Sequence, residues 1–583
     1  MWAYPKDRRQ AATAVSFGLI TYLMTEYMST PEAPVVTIST GKLKGIVAKS
    51  REGWEYFEYL GIPYAKAPVG SLRFEPPHYP ENWTGIRNAN RQPSECMQFE
   101  LMVTARTVGS EDCLYLNVFT PIVETVAMID KPLPVMVYFH GGYFMAGSSK
   151  MYQAKYFMDE DIVLVTVNYR LAALGFLNTG DDVVRGNMGL KDQNMALRWV
   201  QANIRKFGGD PNQVTIFGES AGAASVHYHI LSHQSRGLFH KAISQSGSAL
   251  KAWAMTKDPG SQARKLGSMF HCPTRTSEEL VSCLKHVDPQ RLVQVHQAAM
   301  SVVRHPHDSY LPTIESVKRP DTFISDYPLN LIARGSFNKV PWMSGVNSAE
   351  GLLNLARLLS NKSLSDRLDK EWIKWAPIML GYDPSAKNVS EKIRNFYFGP
   401  VRRVHPVTHV NNFTNLFSDR MFFHGTHKSA VYHARYAPVY LYYNTYAGEV
   451  SLFNLMKAVS PVSRFAAELQ VAFDMAKDLF YSMTYGKWFE NLGPCHADEL
   501  PLLFNMHMLA GIKKSSRDYL MSRAMVKAWT DFAKNEKPLS FMDVPWPPIS
   551  ANSSVFYMNL DRYPSLIPEP FTQRLRFWDY LGV

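Results

Sequence analysis

The 583-residue chain predicts an α/β fold, a largely parallel sheet covered by helices on both faces. Three observations carry that expectation. Short apolar runs rich in β-branched and aromatic residues recur at 134–139, 162–167, 214–217, 242–245 and 439–443. Runs that are apolar at successive rather than alternate positions belong to strands buried on both faces. Helical patterns lie between them, and 192–207 places Ala196, Leu197, Val200, Ile204 and Phe207 on one face. The run at 214–217 also leads straight into Gly218-Glu219-Ser220-Ala221-Gly222 and then Ala-rich sequence suited to a helix. A strand that turns into a helix through Gly-x-Ser-x-Gly forms a sharp bend with the serine at its tip.

Composition bounds the organisation. At 46% hydrophobic residues, the chain can bury a large core. No Gly/Ser-rich or Pro-rich linker divides it, so 31–583 is expected to be a single α/β domain with helical insertions between about 351 and 489. Residues 1–30 stand apart. Lys6, Arg8 and Arg9 precede an apolar stretch at 11–24, which matches a signal peptide and falls short of the roughly 20 residues a spanning helix needs. An uncleaved signal anchor is the alternative. The net charge of +11 is scattered, with no basic run and no nucleic-acid motif, which argues against nucleic-acid binding.

Five cysteines suit an oxidising compartment: Cys96 and Cys113 can close one loop, Cys272 and Cys283 another, and Cys495 is left as a buried free thiol. Five Asn-x-Ser/Thr sequons, at Asn82, Asn361, Asn388, Asn412 and Asn552, are compatible with glycosylation on a secretory route. The expected location is outside the cell or in the secretory lumen.

The chemistry starts from Ser220. Taken alone, Gly-x-Ser-x-Gly arises by chance roughly 0.2 times in a chain this long, so its partners decide the matter. Acyl transfer needs an oxyanion hole, a base and an acid that orients the base. His140-Gly141-Gly142-Tyr143-Phe144 directly follows the run at 134–139, and its glycines let main-chain amides approach a substrate carbonyl. The amides of Gly142, Tyr143 and Ala221 are the expected donors. Among the histidines of the second half, His496 stands in a polar loop, Gly493-Pro494-Cys495-His496-Ala497-Asp498-Glu499, ahead of an apolar run. Glu350 lies in a glycine-flanked turn, and the order Ser, acid, His fits this fold class.

At this point the chain resembles the type-B carboxylesterases, the carboxylesterase/cholinesterase family of the α/β-hydrolase fold. The matching segments are Gly61-Ile62-Pro63-Tyr64-Ala65 with Pro68-Val69-Gly70 and Leu72-Arg73-Phe74, then Glu111 to Val118, Asn187 to Gln193, Phe207 through Gly222, and Gln245-Ser246-Gly247-Ser248. The likeness runs from about Val35 to Trp578, and Cys495-His496-Ala497-Asp498 is most similar to the insect α-esterases. The resemblance implies Ser220 as nucleophile, Glu350 as triad acid and His496 as general base. It implies Gly142, Tyr143 and Ala221 as oxyanion donors and Trp253 as an acyl-pocket aromatic. Ser246 becomes a buried neighbour of the acid, and the bridges become Cys96–Cys113 and Cys272–Cys283.

Three departures qualify the match. Tyr143 stands where the family usually has Gly or Ala. The 96–113 loop has no tryptophan to hold a quaternary ammonium, which disfavours choline esters. Glu219 precedes the serine, where juvenile-hormone esterases usually carry Gln. The expected activity is hydrolysis of small or medium apolar carboxylic esters through an acyl-enzyme, without metal or organic cofactor. His305-Pro306-His307 has no partners at zinc-site spacing. A non-catalytic ligand-sequestering or adhesion protein is the alternative, kept open by Tyr143.

Overall fold

The computed structural model describes residues 32–100, 106–124, 131–295, 309–360, 362–450, 492–507, 509, 511–534, 539–550 and 554–583. The leader, the sequons Asn361 and Asn552, His305-Pro306-His307 and a helix expected over 464–483 lie outside these residues.

Thirteen strands form one sheet among the described residues. Its middle is parallel: Val163–Val167, Leu133–Phe139, Gly209–Glu219, Lys241–Gln245, Trp342–Asn347, Val439–Asn444 and Phe556–Leu560, in that spatial order. Antiparallel strands flank it, with Glu32–Ile38, Gly41–Lys49, Glu55–Pro63 and Tyr115–Thr120 on one side and Ser565–Pro568 on the other. The five expected strands are all present. The apolar residues at 340–343 lead into a sixth, which carries on through Gly345 to Asn347.

Alternate residues of these strands join two different apolar clusters. Val135, Val137 and Phe139 belong to one, Met136 and Tyr138 to the other. The strands are therefore apolar throughout because each face meets its own layer of cover.

The helix expected over 192–207 spans Met188–Asn203 and passes into a short 3-10 turn at Ile204–Phe207. All five residues assigned to its apolar face are fully buried. The sequence reading starts this helix one turn late, at Asp192, because Gly189 interrupts the apolar pattern and Lys191 and Asp192 look solvent-facing. Asp192 instead takes a bidentate contact from Arg170 at 2.6 and 2.8 Å, and Lys191 donates to Glu315 at 3.0 Å. Tertiary partners, not periodicity, turn that polar stripe inward.

Helices dominate the described part of the expected insertion, with Leu352–Ser360, Trp372–Leu380, Lys387–Phe398, Val410–Ser418 and His424–His433. Cys96–Cys113 and Cys272–Cys283 are bonded, and Cys495 is free and buried. Asn82 and Asn388 are exposed. Asn412 is half-buried and its amide donates to Tyr397 O at 2.7 Å.

The register aligns the strand ends. Gly218 lies level with Phe139, Glu219 with Gln245, and Gln245 with Gly345. The loops after these strands therefore emerge at one edge, where ligands of parallel sheets bind. The bend at Ser220 is tight: the serine takes φ 57° and ψ −118°, and Ala221–Leu231 begins at the next residue. Only glycine fits beside it. A methyl group on Gly222 would lie 2.0 Å from Phe139 O, and one on Gly218 would lie 2.6 Å from the same oxygen. Gly222→Ala forces rigid main chain apart and is expected to cost at least about 3 kcal/mol in denaturant unfolding. Gly237, with φ +75° and open space around it, is the control. Gly237→Ala is expected to cost only the left-handed penalty of about 1 kcal/mol; equal losses in the two variants would refute the crowding argument.

Candidate active site

Ser220, Glu350 and His496 come together from three loops. The Ser220 amide donates to Gln245 O at 2.8 Å, which ties the bend to the neighbouring strand end. Glu350 follows the strand Trp342–Asn347, and one of its oxygens accepts from the Asn347 amide at 2.8 Å and from the Ser246 hydroxyl. Its other oxygen lies 2.6 Å from His496 Nδ1. A carboxylate can only accept, so Nδ1 carries the hydrogen. Nε2 is then free to accept from the Ser220 hydroxyl, whose oxygen is 2.9 Å away. The histidine loop is pressed on the glutamate loop, where Ala349 N donates to Pro494 O at 3.0 Å. Glu350 is wholly buried and His496 nearly so, while Ser220 stays partly accessible.

Two more carboxylates surround the imidazole. Glu219 Oε1 lies 3.0 Å from Nε2. It is an electrostatic neighbour and not a hydrogen-bond partner, because the single in-plane site of Nε2 faces Ser220. Glu499, three residues after His496, is buried and held by Gln245 and Asn347 side chains. Burial by itself would lower the His496 pKa, but Glu219 and Glu350 beside it, with Glu499 behind, lift it above the ordinary imidazole value. Burial also raises the Glu219 carboxyl against the pull of His496. Each of the two groups therefore favours the charged form of the other.

The Gly141–Phe144 segment lies against the serine. A methyl on Gly141 would come within 3.2 Å of Ser220 Cβ, and one on Gly142 within 2.0 Å of Ala146 O. Gly142, Tyr143 and Phe144 all have positive φ, at 105°, 59° and 59°. Ala221 opens the helix beneath. Of the three expected amide donors, Ala221 directly follows Ser220, and Gly142 and Tyr143 follow the Gly141 that abuts it. The Tyr143 ring turns onto Trp253, with centroids 5.9 Å apart. Trp253 Nε1 donates to Met421 O at 2.8 Å, and Phe422 packs on the His496 ring at 4.4 Å.

Several residues here escaped the sequence reading. Glu219 was noted only for what precedes the serine, although its adjacency was a usable signal. Phe422 sits in a widened helical turn, Asp419–Phe423, with no local mark of a site residue. Lys251 is buried, donates to Thr426, and has its ammonium 5.8 Å from the Phe422 ring centroid. Nothing around position 251 in the sequence points to that burial.

Comparison with known proteins now adds to the geometry. The model of the carboxylesterase family matches residues 32–578. Venom carboxylesterase-6 of Apis mellifera is 36% identical over 92% of this chain and 91% of its own length. A carboxylic ester hydrolase of Bombus ignitus is 38% identical over 90% and 89%, and a juvenile hormone esterase of Tribolium castaneum is 36% identical over 89% and 86%. A family match spanning the whole α/β sheet, and relatives sharing over a third of their residues across most of both lengths, lead to one conclusion: the chain belongs to the carboxylesterase family, on the α/β-hydrolase fold, and is a carboxylesterase.

Proposed function

We propose that the chain hydrolyses small or medium apolar carboxylic esters through a Ser220–His496–Glu350 triad. The observation that carries this reading is the pair of contacts on one imidazole, Nε2 at 2.9 Å from Ser220 Oγ and Nδ1 at 2.6 Å from Glu350. These residues are 276 and 146 positions apart in sequence, so the arrangement is built by tertiary structure alone. His496 takes the serine proton as Oγ attacks the ester carbonyl. Amides of Gly142, Tyr143 and Ala221 receive the oxyanion. Glu350 holds the tautomer and stabilises the imidazolium. His496 then protonates the departing alcohol, and water activated by the same nitrogen releases the acid.

The packing of Tyr143 on Trp253 favours an enzyme over a ligand-sequestering protein, since the ring is carried away from its own amide. Two disulfides and the exposed sequons Asn82 and Asn388 support a secreted or secretory-lumen enzyme. Among the described residues no helix is long and apolar enough to cross a membrane.

Ser220→Ala is expected to reduce 1-naphthyl acetate turnover on the order of 10⁴-fold or more and to abolish covalent labelling by an organophosphate. Retained labelling in the variant would place the nucleophile elsewhere.

The pH profile follows from the carboxylates that raise the His496 pKa. The base must be neutral to act, so kcat/KM falls as pH drops through its raised pKa. Removing the Glu219 charge takes away part of what favours the imidazolium. Glu219→Gln is therefore expected to move the acidic limb to lower pH by about one unit. A limb that stays in place, or moves up, contradicts the charge argument.

A further inference from the structure

Tyr143 begins a row of four rings. Its ring lies 5.9 Å from Trp253, Trp253 lies 6.3 Å from Phe422, and Phe422 lies 4.4 Å from the imidazole of His496. Both ends of the row are tied to Ser220. At one end His496 Nε2 reaches the hydroxyl, and at the other Gly141, two residues before Tyr143, abuts the serine Cβ. The row and the two chain segments thus form a chain of contacts that begins and ends at Ser220.

The row is anchored. Trp253 is tethered by its indole N–H to Met421 O, and Phe422 is buried. Tyr143 and Trp253 are only half-buried, so they keep surface available for a ligand.

The chemistry of the tetrahedral intermediate tells which substituent meets that wall. The carbonyl oxygen takes the corner at the amides. The leaving oxygen must sit at the Nε2 edge of the imidazole, because its proton comes from there. The acyl chain is left with the third corner. The ring row starts on the amide-bearing segment and reaches the imidazole through Phe422, so it runs between the groups that hold the other two corners. It therefore borders the acyl corner.

We propose that Tyr143 sets acyl length: its ring, seated on Trp253, closes the acyl corner and restricts the enzyme to esters of short acids, acetyl- to butyryl-sized. This rests on the Ser220 esterase reading and adds the substrate class. A chain too long for the corner must displace packed rings, whereas a fitting one gains burial against them. The phenol oxygen has no part in the argument; the ring's bulk does.

The test is a series of p-nitrophenyl acetate, butyrate and octanoate with the purified protein, read as kcat/KM. The wild type is expected to cleave octanoate at least about tenfold less efficiently than acetate. Tyr143→Ala is expected to raise the octanoate-to-acetate ratio at least about tenfold, and Tyr143→Phe, which keeps the ring, to leave it within about twofold. Wild-type cleavage of octanoate as efficient as that of acetate overturns the proposal, and this arm needs no variant to fold. An unchanged ratio in a folded Tyr143→Ala that is still labelled by an organophosphate also overturns it, and leaves the triad reading intact if Ser220→Ala is inactive. Turnover that survives Ser220→Ala overturns both.

Discussion

Main-chain crowding at the Ser220 bend is the constraint on which the rest of the site depends. Phe139 O, Gly218 and Gly222 occupy space that admits no side chain, and a methyl on Gly247 would stand 2.1 Å from Ser220 O. Three strand ends therefore meet at one serine with nothing between them but backbone. The closeness brings the amide-bearing segment after Phe139, the helix from Ala221 and the loop that carries Ser246 and Trp253 within reach of a single hydroxyl. A site assembled from long side chains would keep some freedom of movement. One assembled from packed peptide groups is preorganised, which is what stabilising a transient charge requires.

Around that bend the protein buries three carboxyl groups. Glu219, Glu350 and Glu499 are all withdrawn from water beside one imidazole. Each has a distinct means of support. Glu350 is held by a main-chain amide, a serine and the imidazole, Glu499 by two side-chain amides, and Glu219 by its closeness to Nε2. Buried carboxylates without such partners would be protonated or expelled. The cluster ties the histidine loop to the glutamate loop, and it tilts His496 toward its charged form.

The parts of the fold legible in the sequence were those encoded in consecutive residues. The five core strands stand out because a strand buried on both faces is apolar at every position, as in 162–167. The bend stands out because its glycines sit at fixed offsets from the serine. The residues missed were those whose placement depends on remote partners. Lys191 and Asp192 look solvent-facing until Glu315 and Arg170 are beside them, and Lys251 does so until Thr426 and Phe422 enclose it.

By itself the sequence determined the core strands and the bend at Ser220, and its family resemblance singled out Glu350 and His496. Local geometry and motif spacing are written in neighbouring residues and survive reading in one dimension. Only the tertiary structure decided which atoms face each other: that Nδ1 of His496 meets Glu350 and Nε2 meets Ser220, that the Glu219 carboxyl comes beside the imidazole, and that the Tyr143 ring comes to rest on Trp253. Those outcomes depend on where loops far apart in the chain are packed, and on burial that changes the charge state of the groups they carry, so no stretch of sequence contains them.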